Sequence, residues 1–199
     1  MKQRRLLYVL AVLTVPAMLL IVTGCGKPEF KASVNWQVQD FNFIDQEGRP
    51  LGLDDLRGSV WLADFIFTNC YTVCPPMTMN MKQLQQKLKE SGADVKIVSF
   101  TVDPERDTPE VLKKYGESYQ ADFSNWHFLT GYTQEEIQKF SVDSFKSIVQ
   151  NEKGTDQVIH GTSFFLVDPA GTVVKRYDGA ADPPFEQIIS DVKALLASH

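Results

Sequence analysis

The sequence predicts a mixed α/β domain: a sheet with a parallel core, helices packed across it and a closing antiparallel hairpin. Three observations carry that prediction. Residues 60–67 read as an apolar run of the length of a buried strand. From there to about residue 142, strand-like and helix-like patterns alternate, which is the mark of successive βαβ units. Residues 162–177 then give two strands around Asp168-Pro169-Ala170-Gly171, and a last helical pattern follows.

In chain order, residues 39–44 and 49–53 predict an N-terminal β-hairpin turning at Glu47-Gly48. Leu56-Arg57-Gly58 leads into the 60–67 strand, which ends in a short turn holding Cys70, then Cys74, then Pro75-Pro76. Proline suits the first helical turn, where no intrahelical N–H is needed, so Cys74 is expected at or just before a helix N-terminus. Met77, Met81, Leu84 and Leu88 continue that helix at helical spacing, and Gly92 stops it. Residues 95–102 alternate partially as a second strand. Thr108 before Pro109 is a good N-cap for a helix running to about Gln120. Residues 126–129 form a short third strand, and Thr133-Gln134-Glu135-Glu136 is a capping box opening a helix to about Val142. An irregular stretch separates it from the strand beginning at Thr162; the last helix runs from about Pro184 to Leu196.

The length suits one domain with a sizeable core, and 43% hydrophobic with 23% charged residues is ordinary for a globular chain. A net charge of −5 and the lack of a basic stripe argue against a nucleic-acid partner. The N-terminus is different in kind. Lys2, Arg4 and Arg5 precede an uncharged, mostly apolar run over 6–22, which reads as a secretory signal. It closes on Val22-Thr23-Gly24-Cys25, which resembles a bacterial lipobox, whose cysteine becomes lipidated and heads the mature chain. The expectation is a signal peptide over 1–24, a membrane tether over 25–33 and a domain over 34–199, lipid-anchored to the cell membrane on its extracytoplasmic side. An uncleaved anchor is the alternative, since the 17 residues of the run can just span a bilayer.

Of three cysteines, the anchor takes one, leaving Cys70 and Cys74. In an oxidising compartment such a pair is a disulfide, a redox couple or a metal site. A purely structural disulfide closing so small a loop gains little loop entropy, so chemistry is the better reading. The positive end of a helix dipole stabilises a thiolate, the form that attacks disulfides and binds soft metals. The element order over 60–197 resembles a thioredoxin-like fold with additions. Thioredoxins have two residues between their cysteines and a cis-proline before the antiparallel strand. Here there are three, Tyr71-Thr72-Val73, and no proline lies between Pro109 and Pro169; His160 stands in the cis-proline's place. Cys70, Cys74 and His160 make an S₂N donor set. Thiolates favour Cu(I) and imidazole suits either copper oxidation state. Zinc is chemically open, but its sites usually present four ligands, or three plus water.

Three motifs, Phe65-Ile66-Phe67-Thr68-Asn69-Cys70-Tyr71-Thr72-Val73-Cys74-Pro75, Asp103-Pro104-Glu105-Arg106-Asp107-Thr108-Pro109 and His160-Gly161-Thr162, resemble the signatures of the SCO/SenC family. Its members are membrane-tethered copper proteins needed to assemble the binuclear CuA centre of cytochrome c oxidase. The resemblance implies that Cys70, Cys74 and His160 bind copper, as Cu(I) and Cu(II), and that the partner is oxidase subunit II. The position after Cys70, often proline in relatives, is Tyr71 here. Asp103 is a candidate to orient His160, to approach the metal or to cap a strand end. Arg106 and Asp107 read as holding a turn, Met77 and Met81 as core rather than a thioether path for Cu(I), and His127 as structural.

A competing reading is a thiol–disulfide reductase, with Cys70 and Cys74 as its redox pair, a separate thiol reductant, and the oxidase's copper-binding cysteines as its target. His160 discriminates, because copper ligation needs it and dithiol exchange does not. A peroxidase is disfavoured, since nothing marks a peroxidatic cysteine separate from the close pair. The anchor is tested at Cys25: the membrane-bound protein should carry a lipid adduct by intact-mass analysis, and Cys25→Ser should release the protein or leave the signal uncleaved. Membrane material with no lipid adduct would refute the anchor.

Overall fold

The computed structural model describes residues 30–93 and 95–198; the expected signal peptide, Cys25 and residues 26–29 of the expected tether lie outside the described residues. The elements are β1 (Trp36–Gln37), β2 (Asn42–Ile44), β3 (Pro50–Gly52), α1 (Leu53–Leu56), β4 (Trp61–Ile66), α2 (Cys74–Glu90), β5 (Lys96–Thr101), α3 (Pro109–Ser118), β6 (Trp126–Leu129), α4 (Gln134–Phe145), β7 (Val149–Asn151), β8 (Val158–His160), β9 (Ser163–Val167), β10 (Thr172–Asp178) and α5 (Phe185–Leu196). Six strands make one sheet in the order β1-β10-β9-β4-β5-β6. β4 runs parallel to β5, and β5 to β6, while β9 lies antiparallel on the other side of β4. This is the thioredoxin-like arrangement that the element order predicts, with β1 added at the β10 edge.

β4 is central because its residues are buried on both faces of the sheet. Trp61, Ala63 and Phe65 project to one side, with Phe67 just beyond the strand. There they meet a phenylalanine-rich layer in which Phe145 packs 5.4 Å from Phe65 and 5.0 Å from Phe165. Leu62 and Ile66 project to the other side, against Met77, Met81, Leu84 and Leu88 of α2 and Ile188, Val192 and Leu195 of α5. Met77 and Met81 are therefore core residues, as their spacing implies. The N-caps also follow the sequence: Thr108 accepts from the Val111 N–H, and Thr133 exchanges both capping-box bonds with Glu136. Phe30 and Ser33 at the end of the tether lie on the domain, Phe30 under the Lys175 ammonium and Ser33 donating to the Val174 carbonyl at 2.9 Å.

Three details depart from the sequence expectations. The predicted N-terminal hairpin forms with its turn over 45–49, but as a separate two-stranded sheet, joined to the end of β6 through an Ile44–Thr130 bridge and a Phe128 N–H bond to the Gln46 side chain. The helix from Gln134 continues to Phe145, where Lys146 ends it in the left-handed conformation. The stretch expected to be irregular contains a second small sheet, β7 paired antiparallel with β8.

Asp64 interrupts the middle of β4. It is wholly buried, and among the described residues neither carboxylate oxygen makes a hydrogen bond. Burial raises its pKa to about 7, opposed in part by the Ser99 hydroxyl on the adjacent strand and by the field of His160. The native state therefore holds a proton that the unfolded state has released, from the ordinary value of 3.8 up to about 7. Folding stability from this group is present below the lower value and is lost as pH rises through the upper one. Urea titrations of the reduced protein should show stability falling by about 1.4 kcal/mol per pH unit across that window relative to Asp64→Asn, and no further above it. Parallel pH profiles for the two proteins would defeat this account.

Candidate metal centre

The cysteine loop is shaped from below by Asp107. This buried carboxylate accepts from the Thr68 N–H at 3.1 Å, from the Thr68 hydroxyl and from the Thr101 hydroxyl. Thr68 stands two residues before Cys70, so the bond network fixes where the chain leaves β4 and enters the turn. The Asp103 carbonyl accepts from the Arg106 and Asp107 N–H groups, closing the turn that presents Asp107. Arg106 and Asp107 thus hold a turn, as their sequence setting suggests, and Asp107 braces the cysteine loop as well.

At the top of this brace, α2 begins at Cys74 with Pro75 and Pro76 in its first turn, and its N-cap residue Val73 supplies no side-chain cap. The Cys70 sulfur fills that role by accepting from the Cys74 N–H at 3.3 Å. A helix N-terminus presents unpaired N–H groups and a partial positive charge, both of which favour an anion. The two thiols are strongly coupled. Hydrogen bonding from Cys74 holds Cys70 down to about 3, while the Cys70 thiolate and burial push Cys74 well above the usual thiol range. One proton is thus shared by the pair, with the negative charge on Cys70 at the helix end. Cys70 is 7% exposed and Cys74 is fully buried.

His160 comes from the far side of the chain, at the end of β8. Its Nε2 lies 3.1 Å from the Cys74 sulfur, and its Nδ1 lies 2.9 Å from the Gly161 carbonyl. A carbonyl only accepts, so Nδ1 carries the proton and the Nε2 lone pair faces the sulfurs. The ring edge rests against Phe67 at 5.8 Å. Gly161 passes close to Ser147: a Cβ at that position would stand 2.5 Å from the Ser147 hydroxyl oxygen and would force it to move. The hairpin carrying His160 is tied to the cysteine loop through Asn69, whose amide donates to Asp156 at 2.7 Å and whose carbonyl accepts from Gln157 at 3.0 Å.

The Cys70 and Cys74 sulfurs and a His160 nitrogen lie within 4.8 Å of one another. Donors bonded to one ion at about 2.0–2.3 Å stand at most about 4.6 Å apart, so the set needs little contraction to fit a metal. Two soft sulfurs and one imidazole favour copper, with zinc the chemical alternative. Asp103 is outside this trio. It is buried and its carboxylate is paired with Arg106 at 2.9 Å. His127 is half-buried beside Asp45, 3.6 Å from its carboxylate, and Met79 is exposed on α2. Asp64 and Asn69 are the supporting residues that sequence reasoning passed over, and the brace from Asp107 to the cysteine loop adds to the turn it was expected to hold. The signal available for Asp64 was a carboxylate inside a strand otherwise apolar on both faces.

Residues 31–197 match the SCO1/SenC family model. The SCO1 protein homolog of Bacillus subtilis strain 168 is 51% identical over 182 residues, covering 92% of this chain and 94% of the relative. Among solved structures, a SCO1/SenC family lipoprotein from Bacillus anthracis superposes with a TM-score of 0.80 at 52% identity, covering 82% of this chain and 96% of that one. Bradyrhizobium japonicum ScoI with copper bound gives 0.66 at 25% identity over 80% and 99% of the two chains. Sequence, fold and donor set agree, and the chain belongs to the SCO1/SenC family.

Proposed function

We propose that this protein binds copper through Cys70, Cys74 and His160 and delivers it to subunit II of cytochrome c oxidase during assembly of the CuA centre. The observation that carries the reading is the convergence of two sulfurs and an imidazole lone pair within 4.8 Å, in a chain of a family that works in cytochrome c oxidase assembly. Further support comes from the copper held by the Bradyrhizobium relative. In this reading the thiolates hold Cu(I), and the imidazole completes the harder set that Cu(II) prefers. Transfer is ligand exchange and needs no turnover of substrate. Asp103 acts behind the ligands, since its turn presents Asp107 and Asp107 fixes the approach to Cys70. The chain works outside the cytoplasm, held at the cell membrane by lipid on Cys25 once residues 1–24 are removed, with residues 25–33 as tether and 34–199 as the copper domain. The lipobox-like residues and the lipoprotein nature of the Bacillus anthracis relative support that placement. No helix among the described residues is long and apolar enough to cross a membrane.

A second reading has a specific observation behind it. Cys70 is the lower-pKa and more accessible thiol, and Cys74 is the buried partner, which is the division of labour that dithiol exchange requires. The Cys70 thiolate attacks a target disulfide to give a mixed disulfide; Cys74, losing its proton, displaces the target thiol and closes the Cys70–Cys74 bond. A thiol reductant restores the pair. Both readings use the same cysteines.

The Cys70–Cys74 pair should oxidise reversibly within one chain, so alkylation of the mature domain should count two thiols after reduction and none after oxidation. A predominantly intermolecular dimer would show that the loop does not permit closure. His160→Ala separates the two readings. It leaves both sulfurs for a linear Cu(I) site but removes the imidazole from the Cu(II) set. The Cu(II) affinity should drop by on the order of 100-fold or more, beyond what loss of a supporting outer residue costs. Cu(I) binding should fall far less, the thiolate-to-copper absorption should change, and dithiol exchange with a model disulfide should continue. Full oxidase activity in cells carrying only His160→Ala would overturn the copper role and favour the reductase.

A further inference from the structure

Large apolar side chains are seldom left bare next to a reactive centre without a partner to cover them. Among the described residues, the three most exposed are Tyr71 at 74%, Ile148 at 66% and Ile159 at 56%. All three are chain neighbours of a residue of the metal centre or of its strand partner, and Ile148 and Ile159 line one cleft with His160. Tyr71 follows Cys70, Ile159 precedes His160, and Ile148 precedes Val149, the residue paired with His160 across the β7–β8 hairpin. Strand alternation puts Val149 and His160 on the inner face of that hairpin and Ile148 and Ile159 together on its outer face.

The outer face opens into a cleft of about 430 Å³ whose lining includes Lys146, Ile148, Ile159, His160 and Arg176 and no carboxylate. Lys146 is exposed and donates only to the Asp143 carbonyl, which leaves its charge uncompensated. Arg176 is exposed, and its guanidinium makes no hydrogen bond or ion pair among the described residues. On a chain with a net charge of −5, an apolar spot flanked by two free cations is a local reversal of sign. The opposite side of the site has carboxylates, but Asp103 is taken by Arg106 and Asp156 by Asn69.

We infer that the outer face of the β7–β8 hairpin is the docking surface for the copper acceptor, and that the acceptor presents an apolar spot ringed by carboxylates. This rests on the copper-delivery reading above. Ligand exchange requires the acceptor's donor atoms to reach the ion, so the surface bordering His160 and Cys70 is covered during transfer. Apolar contact holds the pair together, and opposite charges at the rim orient and accelerate encounter.

The test uses the full-length copper-loaded chain in detergent and the apo copper domain of the same cell's oxidase subunit II. Lys146→Glu combined with Arg176→Glu should slow association about 10-fold at low ionic strength and invert its salt dependence. Ile148→Ser should raise the dissociation rate about 10-fold, the effect of losing an interface anchor. None of these residues is a proposed ligand, so copper loading should match the unaltered chain. In that unaltered chain, amide shifts induced by the acceptor should centre on residues 146–150, 158–161 and 176. Variants that transfer copper at the unaltered rate, or shifts centred on another face, would overturn the docking surface alone. An acceptor that neither binds nor takes copper from the unaltered chain would overturn the delivery reading and this surface with it. Binding of the patch to phosphatidylglycerol vesicles, with no acceptor-induced shifts, would assign it to the membrane instead.

Discussion

A sulfur and an imidazole nitrogen 3.1 Å apart, from residues 86 positions apart in the chain, set the demands that the rest of the structure meets. Cys74 is fixed by α2, and α2 is fixed by Met77, Met81, Leu84 and Leu88 against the sheet. His160 must then be brought to that helix end with its ring turned correctly. Gly161 supplies both conditions: its carbonyl selects the tautomer, and its missing side chain lets the strand pass over Ser147. A thioredoxin-like frame already brings an antiparallel strand to the helix N-terminus. The chain uses that meeting point to place a nitrogen donor where a proline would otherwise shape the backbone.

Charge is managed around this contact with some economy. The helix end favours the Cys70 thiolate, and Cys74 shares its proton with it. Burial raises the pKa of Asp107, and the donors from Thr68 and Thr101 oppose that rise; burial raises Asp64 to about 7, where it retains its proton to near neutral pH. The two buried aspartates are thus shifted the same way by desolvation, and hydroxyl groups oppose the shift in each.

Much of the frame was legible in the sequence because it rests on local signals. Pro75-Pro76 after Cys74, Thr108-Pro109 and the capping box at Thr133 each locate a helix start through backbone chemistry, and the runs at 60–67, 95–102 and 126–129 locate strands through burial. Cys70, Cys74 and His160 were readable because spacing and a missing proline singled them out. The β7–β8 pairing was not readable. Each strand has three residues, apolar pairs (Ile148-Val149 and Val158-Ile159) interrupt the alternation in both, and a six-residue polar loop joins them, so no period of two can establish itself. The ties through Asn69 and Asp107 were hidden for a different reason: they join residues 87 and 39 positions apart, and only the folded chain brings them together.

The β7–β8 hairpin shares no ladder bonds with the six-stranded sheet, and an isolated two-stranded hairpin has little stability of its own. Cys74 opens a helix packed into the core and Cys70 stands in the loop before it, while the nitrogen stands on a hairpin held by three residue pairs, the burial of Val149 and Val158 and the Asn69 links. Opening that unit and unfolding the domain are therefore separate events with separate free energies. The ligand set divides into a fixed jaw and a hinged one. In the copper-binding reading, opening of the hairpin alone withdraws the nitrogen donor while both sulfurs keep their places.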